Sequence, residues 1–248
     1  MRVAVLMPMR DRPEPATAYA LEHYTDDFDV TLLTTRGLAL EVARATLWTQ
    51  AAALDPMPEL IVWADADAFW LRGTFAAVEK RLQQLGERVV LGSFHGKRRP
   101  YSDLNAYQFV DNAIRAVPIA EAKAPAHGLT SVFFIGSHFM AHRPALFEIL
   151  GPEPFTIESG TIGEDHSFCV RAIKAGVHVL LDAHLPVFHV EGNNGFLPGR
   201  PRFVYRDGGM EPTNEPPSAP YVMPDRTYGE RVDAIRRDVA RTREERGS

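Results

Sequence analysis

The run Leu60-Ile61-Val62-Trp63-Ala64, with no polar residue in it, constrains the fold of this chain more than any other segment. Consecutive apolar residues without alternation read as a strand buried on both faces, as in the interior of a parallel sheet with helices on either side. The flanking sequence agrees. Val3 to Met7 is a short apolar run stopped by Pro8, Ala16 to His23 is weakly helical, and Phe28 to Leu33 is a second strand candidate. Leu38, Val42, Ala45 and Leu47 recur near helical spacing before the third strand. Gly73 to Leu85 reads as a helix, Val89 to Leu91 as a strand, Ser131 to Ala141 as strand-like and Arg143 to Leu150 as a short helix. Gly163 to Ala175 is a helix stopped by Gly176, with a strand from Val177 to Leu181. Strand and helix signals in alternation predict an α/β fold with a mostly parallel central sheet flanked by helices.

With 248 residues, 45% of them hydrophobic, the chain is able to bury a full core. A net charge of −5 and a pI near 6.0 argue against nucleic acid as a partner, although Lys97, Arg98 and Arg99 form a small basic loop. The single cysteine, Cys169, excludes an internal disulfide and a cysteine-built zinc site. The N-terminal apolar run is too short for a signal sequence, and no run reaches the ~18 apolar residues of a membrane span. A cytoplasmic protein is expected. From Leu197 to Pro224 prolines and glycines accumulate, which predicts an extended segment. Asp225 to Arg243 reads as a charged helix with a thin apolar stripe of Val232, Ile235 and Val239, suited to packing on the body or on a second copy of the chain.

Chemistry enters at the ends of the apolar runs, where parallel sheets place their ligands. Asp65-Ala66-Asp67 follows the buried strand directly. Residues i and i+2 of a strand point the same way, so the two carboxylates are able to converge on one Mg²⁺ or Mn²⁺. A turn with solvated carboxylates is the plain alternative. Glu164 and Asp165 open a predicted helix, where the dipole favours negative charge; a carboxylate there also suits a general base. His189 closes the run Leu185-Pro186-Val187-Phe188 and is either a hydrogen-bonded structural residue or a ligand for Mn²⁺ beside carboxylates. His138, His142, His178 and His184 lack such context and read as structural.

In order, the chain carries a strand ending in Asp65-Ala66-Asp67, the segment Phe133-Phe134-Ile135-Gly136-Ser137-His138-Phe139-Met140 and the helix Gly163-Glu164-Asp165-x-x-Phe168-Cys169-x-Arg171-Ala172-x-x-Ala175-Gly176. Asp182 and the strand-end His189 follow. This arrangement resembles the GT-A-fold glycosyltransferases, particularly family 2 and its relatives in bacteria and phages, over roughly residues 1–195. The resemblance implies a GT-A (Rossmann-like) domain over residues 1–195, with residues 196–248 as a Pro/Gly-rich extension and terminal helix. It implies a metal-dependent transferase of the hexosyltransferase type, moving a sugar from a UDP- or GDP-linked donor to a carbohydrate or other hydroxyl acceptor.

Residue by residue, the resemblance implies that Asp65 contacts the nucleoside and that Asp67 ligates Mn²⁺ or Mg²⁺, with His189 completing the metal shell. It places Pro8 and Arg10 at the nucleobase pocket and Arg44, in Leu40-Glu41-Val42-Ala43-Arg44, near the nucleotide. Asp165 is the implied base of an inverting reaction, and Glu164 positions the acceptor. Two features depart from the family pattern: Ala45 and Thr46 follow Arg44 where an asparagine is usual, and the first loop reads Pro8-Met9-Arg10-Asp11-Arg12-Pro13. A nucleotidyltransferase acting on a sugar phosphate is an alternative, but its glycine-rich first loop is missing. A non-catalytic nucleotide-sugar-binding protein is the other.

Overall fold

The apolar run becomes a strand in which all five side chains are 0% exposed. In the computed structural model, residues 1–25, 28–94, 103–110, 113–118, 121, 128–136, 138–157, 163–189, 202–206 and 209–213 are described. The first half alternates as the sequence predicts: β1 (Arg2–Met9), α1 (Pro15–His23), β2 (Asp29–Arg36), α2 (Leu40–Ala52), β3 (Leu60–Ala64), β4 (Ala68–Phe69), α3 (Thr74–Leu85) and β5 (Val89–Phe94). Then come β6 (Asp103–Val110), β7 (Ala113–Pro118), β8 (Leu129–Ser131), β9 (Phe134–Ile135), β10 (Phe139–His142) and α4 (Ala145–Leu150). The remaining elements are α5 (Glu164–Lys174), β11 (His178–Pro186), β12 (Phe188–His189), β13 (Arg202–Arg206) and β14 (Gly209–Thr213).

The central sheet has seven strands in the order β2-β1-β3-β10-β5-β11-β8. Strands β2, β1, β3, β5 and β11 run parallel; β10 and β8 run against them. Ser131 to Ala141, strand-like as a whole in the sequence, divides into three strands with different partners. β8 pairs with β11, β9 pairs with β6 in a separate sheet β7-β6-β9, and β10 enters the centre of the main sheet. Backbone bonds make the transfer: Val132 N–H donates to the Val179 carbonyl, and Phe133 N–H donates to that of Tyr107. The β6–β7 hairpin has no counterpart among the elements read from the sequence.

Aromatic side chains fill both faces of the sheet. Trp63 and His142 lie on one face, against Trp48 of α2, Phe155 and Phe168 of α5; the Phe155 and Phe168 rings stack at 4.7 Å. Phe139 lies on the other, against Trp70 and Phe75 of α3. Such pairs add ~0.5–1.5 kcal/mol each beyond the area they bury. Within the first cluster the Trp63 indole N–H donates to His142 Nε2 at 3.2 Å. Indole only donates, so Nε2 accepts, and Nδ1 carries the proton that reaches the Arg143 carbonyl at 2.8 Å. Burial pushes the His142 imidazole down to about 4, against the opposing pull of that carbonyl. His142 is thus a neutral core residue, as its sequence context suggests.

Part of the Pro/Gly-rich stretch is a hairpin, β13–β14, where the sequence predicts only extended chain. The basic loop Lys97–Arg99 and the expected helix Asp225 to Arg243 lie outside the described residues. No helix among the described residues is long and apolar enough to cross a membrane.

Candidate active site

The carboxyl ends of the parallel strands gather the residues singled out in the sequence. β1 and β3 pair in register from Val3↔Leu60 to Leu6↔Trp63, so Pro8 and Asp65 each stand two residues further along on one rim. Pro8 is buried opposite Thr35 of β2, and Arg10, just past β1, is exposed. Beyond β3 the chain turns sharply: Ala68 N–H donates to the Asp65 carbonyl at 2.9 Å, and Glu14 N–H ties the Ala66 carbonyl to the start of α1 at 2.7 Å. The turn presents Asp65 and Asp67 at the sheet end, with side chains 30% and 36% exposed.

His138 completes this group. Its Nδ1 lies 3.7 Å from Asp65 Oδ2 and 3.6 Å from Asp67 Oδ1, distances too long for hydrogen bonds but short enough to share one ion. One ligand atom from each of the three residues falls within 4.8 Å of the others. Two carboxylate oxygens and one imidazole nitrogen suit Mn²⁺, and half-exposed carboxylates leave room for further oxygens from a bound phosphate. The sequence reading set His138 aside as structural; the antiparallel course of β10 brings it to the rim. A usable signal was there, a lone histidine directly before the apolar strand Phe139–His142, but reading it required the strand order.

His189 was expected as a metal ligand. Its backbone pairs with Ala68 in the antiparallel β12–β4 ladder, next in sequence to Asp67. Its side chain lies outside the described residues.

Arg44 comes up from α2 beneath the turn and is 1% exposed. Its Nη2 donates to Asp65 Oδ1 at 2.8 Å, and its Nε donates to Glu164 Oε1 at 3.1 Å. Burial alone raises the Asp65 carboxyl; the Arg44 guanidinium and His138 outweigh it and hold the group below the usual carboxylate range. Asp65 is therefore an anion at neutral pH, with one oxygen committed to Arg44 and the other facing His138.

Glu164 and Asp165 open α5 behind Gly163, whose carbonyl accepts from both the N–H and the Oγ–H of Ser167 at 3.0 Å. The two carboxylates diverge. Glu164, 12% exposed, turns to Arg44, whereas Asp165 is half-buried and its Oδ1 accepts from the His166 N–H at 2.7 Å. The structure therefore brings Asp65, Asp67, His138, Arg44 and Glu164 into one connected group, with Asp165 next to Glu164 in the first turn of α5.

No protein-family model matches this chain, and no curated protein matches it by sequence. Solved structures do. Protein A197 from STIV superposes with a TM-score of 0.52 at 15% identity, covering 77% of this chain and 87% of that one. GalNAc-T7, solved with UDP, GalNAc and Mn²⁺, superposes with a TM-score of 0.51 at 13% identity over 80% of this chain. This chain spans 44% of that longer protein. At such identity the similarity shows the fold: an α/β domain of GT-A type, as the sequence predicts.

Proposed function

We propose that this protein is a metal-dependent glycosyltransferase that moves a sugar from a UDP- or GDP-linked donor to an acceptor hydroxyl. The observation that carries the reading is the Asp65–Asp67–His138 group at the carboxyl rim of a GT-A-type sheet. A fold neighbour solved with UDP, GalNAc and Mn²⁺ supports the same class of donor and metal.

Asp67 and His138 are the ligands we assign to Mn²⁺ or Mg²⁺, with His189 as a further candidate from β12. When bound, the cation neutralises charge on a departing nucleoside diphosphate. Asp65, anchored by Arg44, turns its other oxygen toward His138 and the donor side of the site. Pro8 and Arg10 stand at the end of β1, where a nucleobase would lie against this rim. Asp165 is the base we assign for the acceptor hydroxyl. Its Oδ1 accepts from the His166 N–H at 2.7 Å, which fixes the carboxylate in the first turn of α5, where it takes the proton as the new bond forms. Glu164 keeps that turn in place through Arg44.

A panel of UDP- and GDP-sugars, assayed for Mn²⁺-dependent hydrolysis and transfer, tests the reading. Turnover in the wild type that is lost in Asp67→Ala supports it. Pyrophosphate release from a nucleoside triphosphate and a sugar phosphate would instead define a nucleotidyltransferase. Nucleotide-sugar binding without turnover would define a binding protein.

A further inference from the structure

Arg44 of α2 makes charged contacts to two other parts of the chain, the turn after β3 and the first turn of α5. Two carboxylates share one edge of its guanidinium, Asp65 on Nη2 at 2.8 Å and Glu164 on Nε at 3.1 Å. The side chain is 1% exposed, and its guanidinium carbon lies 5.8 Å from the centre of the Trp63 ring. Trp63 is itself fixed by the bond to His142. Such a plane has little freedom to rotate, and its donors point in set directions. An ammonium in the same place would supply the charge but no fixed angle between the two partners.

We propose that Arg44 is a positioning residue that holds the metal-binding turn and the Asp165-bearing start of α5 at a fixed separation. This deepens the glycosyltransferase reading and rests on it. Asp65 is two residues from Asp67, and Glu164 is adjacent to Asp165, so each ion pair fixes one neighbour of a reacting group. A direct role as nucleotide ligand fits less well, because a side chain 1% exposed presents almost no surface to a donor. The bridge predicts that a change at the Glu164 end is felt at the metal end, and only through Arg44.

Mn²⁺ affinity, measured by electron paramagnetic resonance on the full chain without donor, tests the link independently of turnover. The variants are Glu164→Gln, Arg44→Met and the double Arg44→Met/Glu164→Gln. Neutralising Glu164 leaves the whole Arg44 charge to Asp65, so Glu164→Gln weakens Mn²⁺ binding by about fivefold when Arg44 is present, and by less than about twofold when it is absent. An equal effect in both backgrounds overturns the bridge. If Arg44→Met does not fold, Arg44→Lys with and without Glu164→Gln closes the same cycle.

Kinetics supply the second readout. Arg44→Lys keeps the donor KM and lowers kcat by roughly 10–100-fold, the scale of a displacement near 1 Å between reacting groups. A raised donor KM with unchanged kcat would overturn the proposal and make Arg44 a donor ligand. Absence of any Mn²⁺-dependent donor turnover in the wild type would remove the glycosyltransferase reading alone, because the Mn²⁺ cycle judges the bridge without it.

Discussion

The backbone N–H of Asp65 donates to the carbonyl of His138 at 3.0 Å, adding one rung to the β3–β10 ladder beyond the Ala64–Phe139 pair. That bond seats the imidazole over the two aspartates. The geometry is set by main chain, so it does not depend on the carboxylates being ionised or on a cation being present.

Replacing His138 with alanine should therefore leave the ladder in place and remove one of the proposed ligands. Mn²⁺ affinity is expected to fall by at least about tenfold, or ~1.4 kcal/mol, as it should for Asp67→Ala. Titration of Mn²⁺ beside a thermal melt checks this; unchanged affinity with an unchanged melt would take His138 out of the metal site.

The His142 imidazole has its folded pKa depressed from the ordinary 6.5 to about 4. Between those values the unfolded chain binds the proton and the folded chain does not, so stability rises with pH across that window. The contribution is complete above pH 6.5, is lost as pH falls toward 4, and amounts to on the order of 3 kcal/mol. Urea unfolding at several pH values should show a shallower acid loss in His142→Gln than in the wild type. Parallel pH curves would count against a neutral buried imidazole.

Cys169 is fully buried in α5, and burial pushes its thiol up to about 12. At pH 8 the thiolate fraction is then roughly one in ten thousand, and the sulfur is shielded besides. Iodoacetamide should leave the folded protein unlabelled and modify one site per chain in urea. Rapid labelling without denaturant would contradict this packing.

Gly92 of β5 faces the Ile135 side chain of β9. A Cβ there would overlap Ile135 Cδ1 and lie 3.2 Å from Ile135 Cβ, so swinging the far end of the side chain aside still leaves a tight contact. Gly92→Ala is expected to destabilise by about 1–3 kcal/mol, the usual scale of overpacking, and Gly92→Ala/Ile135→Val to recover part of it. Denaturant midpoints measure both.

The first half of the fold was legible because each element there is a local pattern. The unbroken run Leu60–Ala64 could satisfy its environment only inside a two-sided sheet, and α3 carries a clear amphipathic stripe in Phe75, Val78 and Leu82. Asp65, Asp67, Glu164 and Asp165 were legible as candidates because carboxylates at strand and helix ends are conspicuous. Their connection was not. Arg44 bonds residues 21 and 120 positions away, and no local signal reports a partner at that separation. His138 failed for a related reason: a strand's direction in a mixed sheet depends on all its neighbours, and the sequence around Phe139 is compatible with either.

The antiparallel course of β10 decides how His138 is held at the rim. A parallel strand delivers residues to this rim as it leaves the sheet, whereas β10 delivers His138 as it enters. The seat of the histidine is therefore fixed by the ladder downstream of it, from Phe139 to His142, rather than by the chain that leads in.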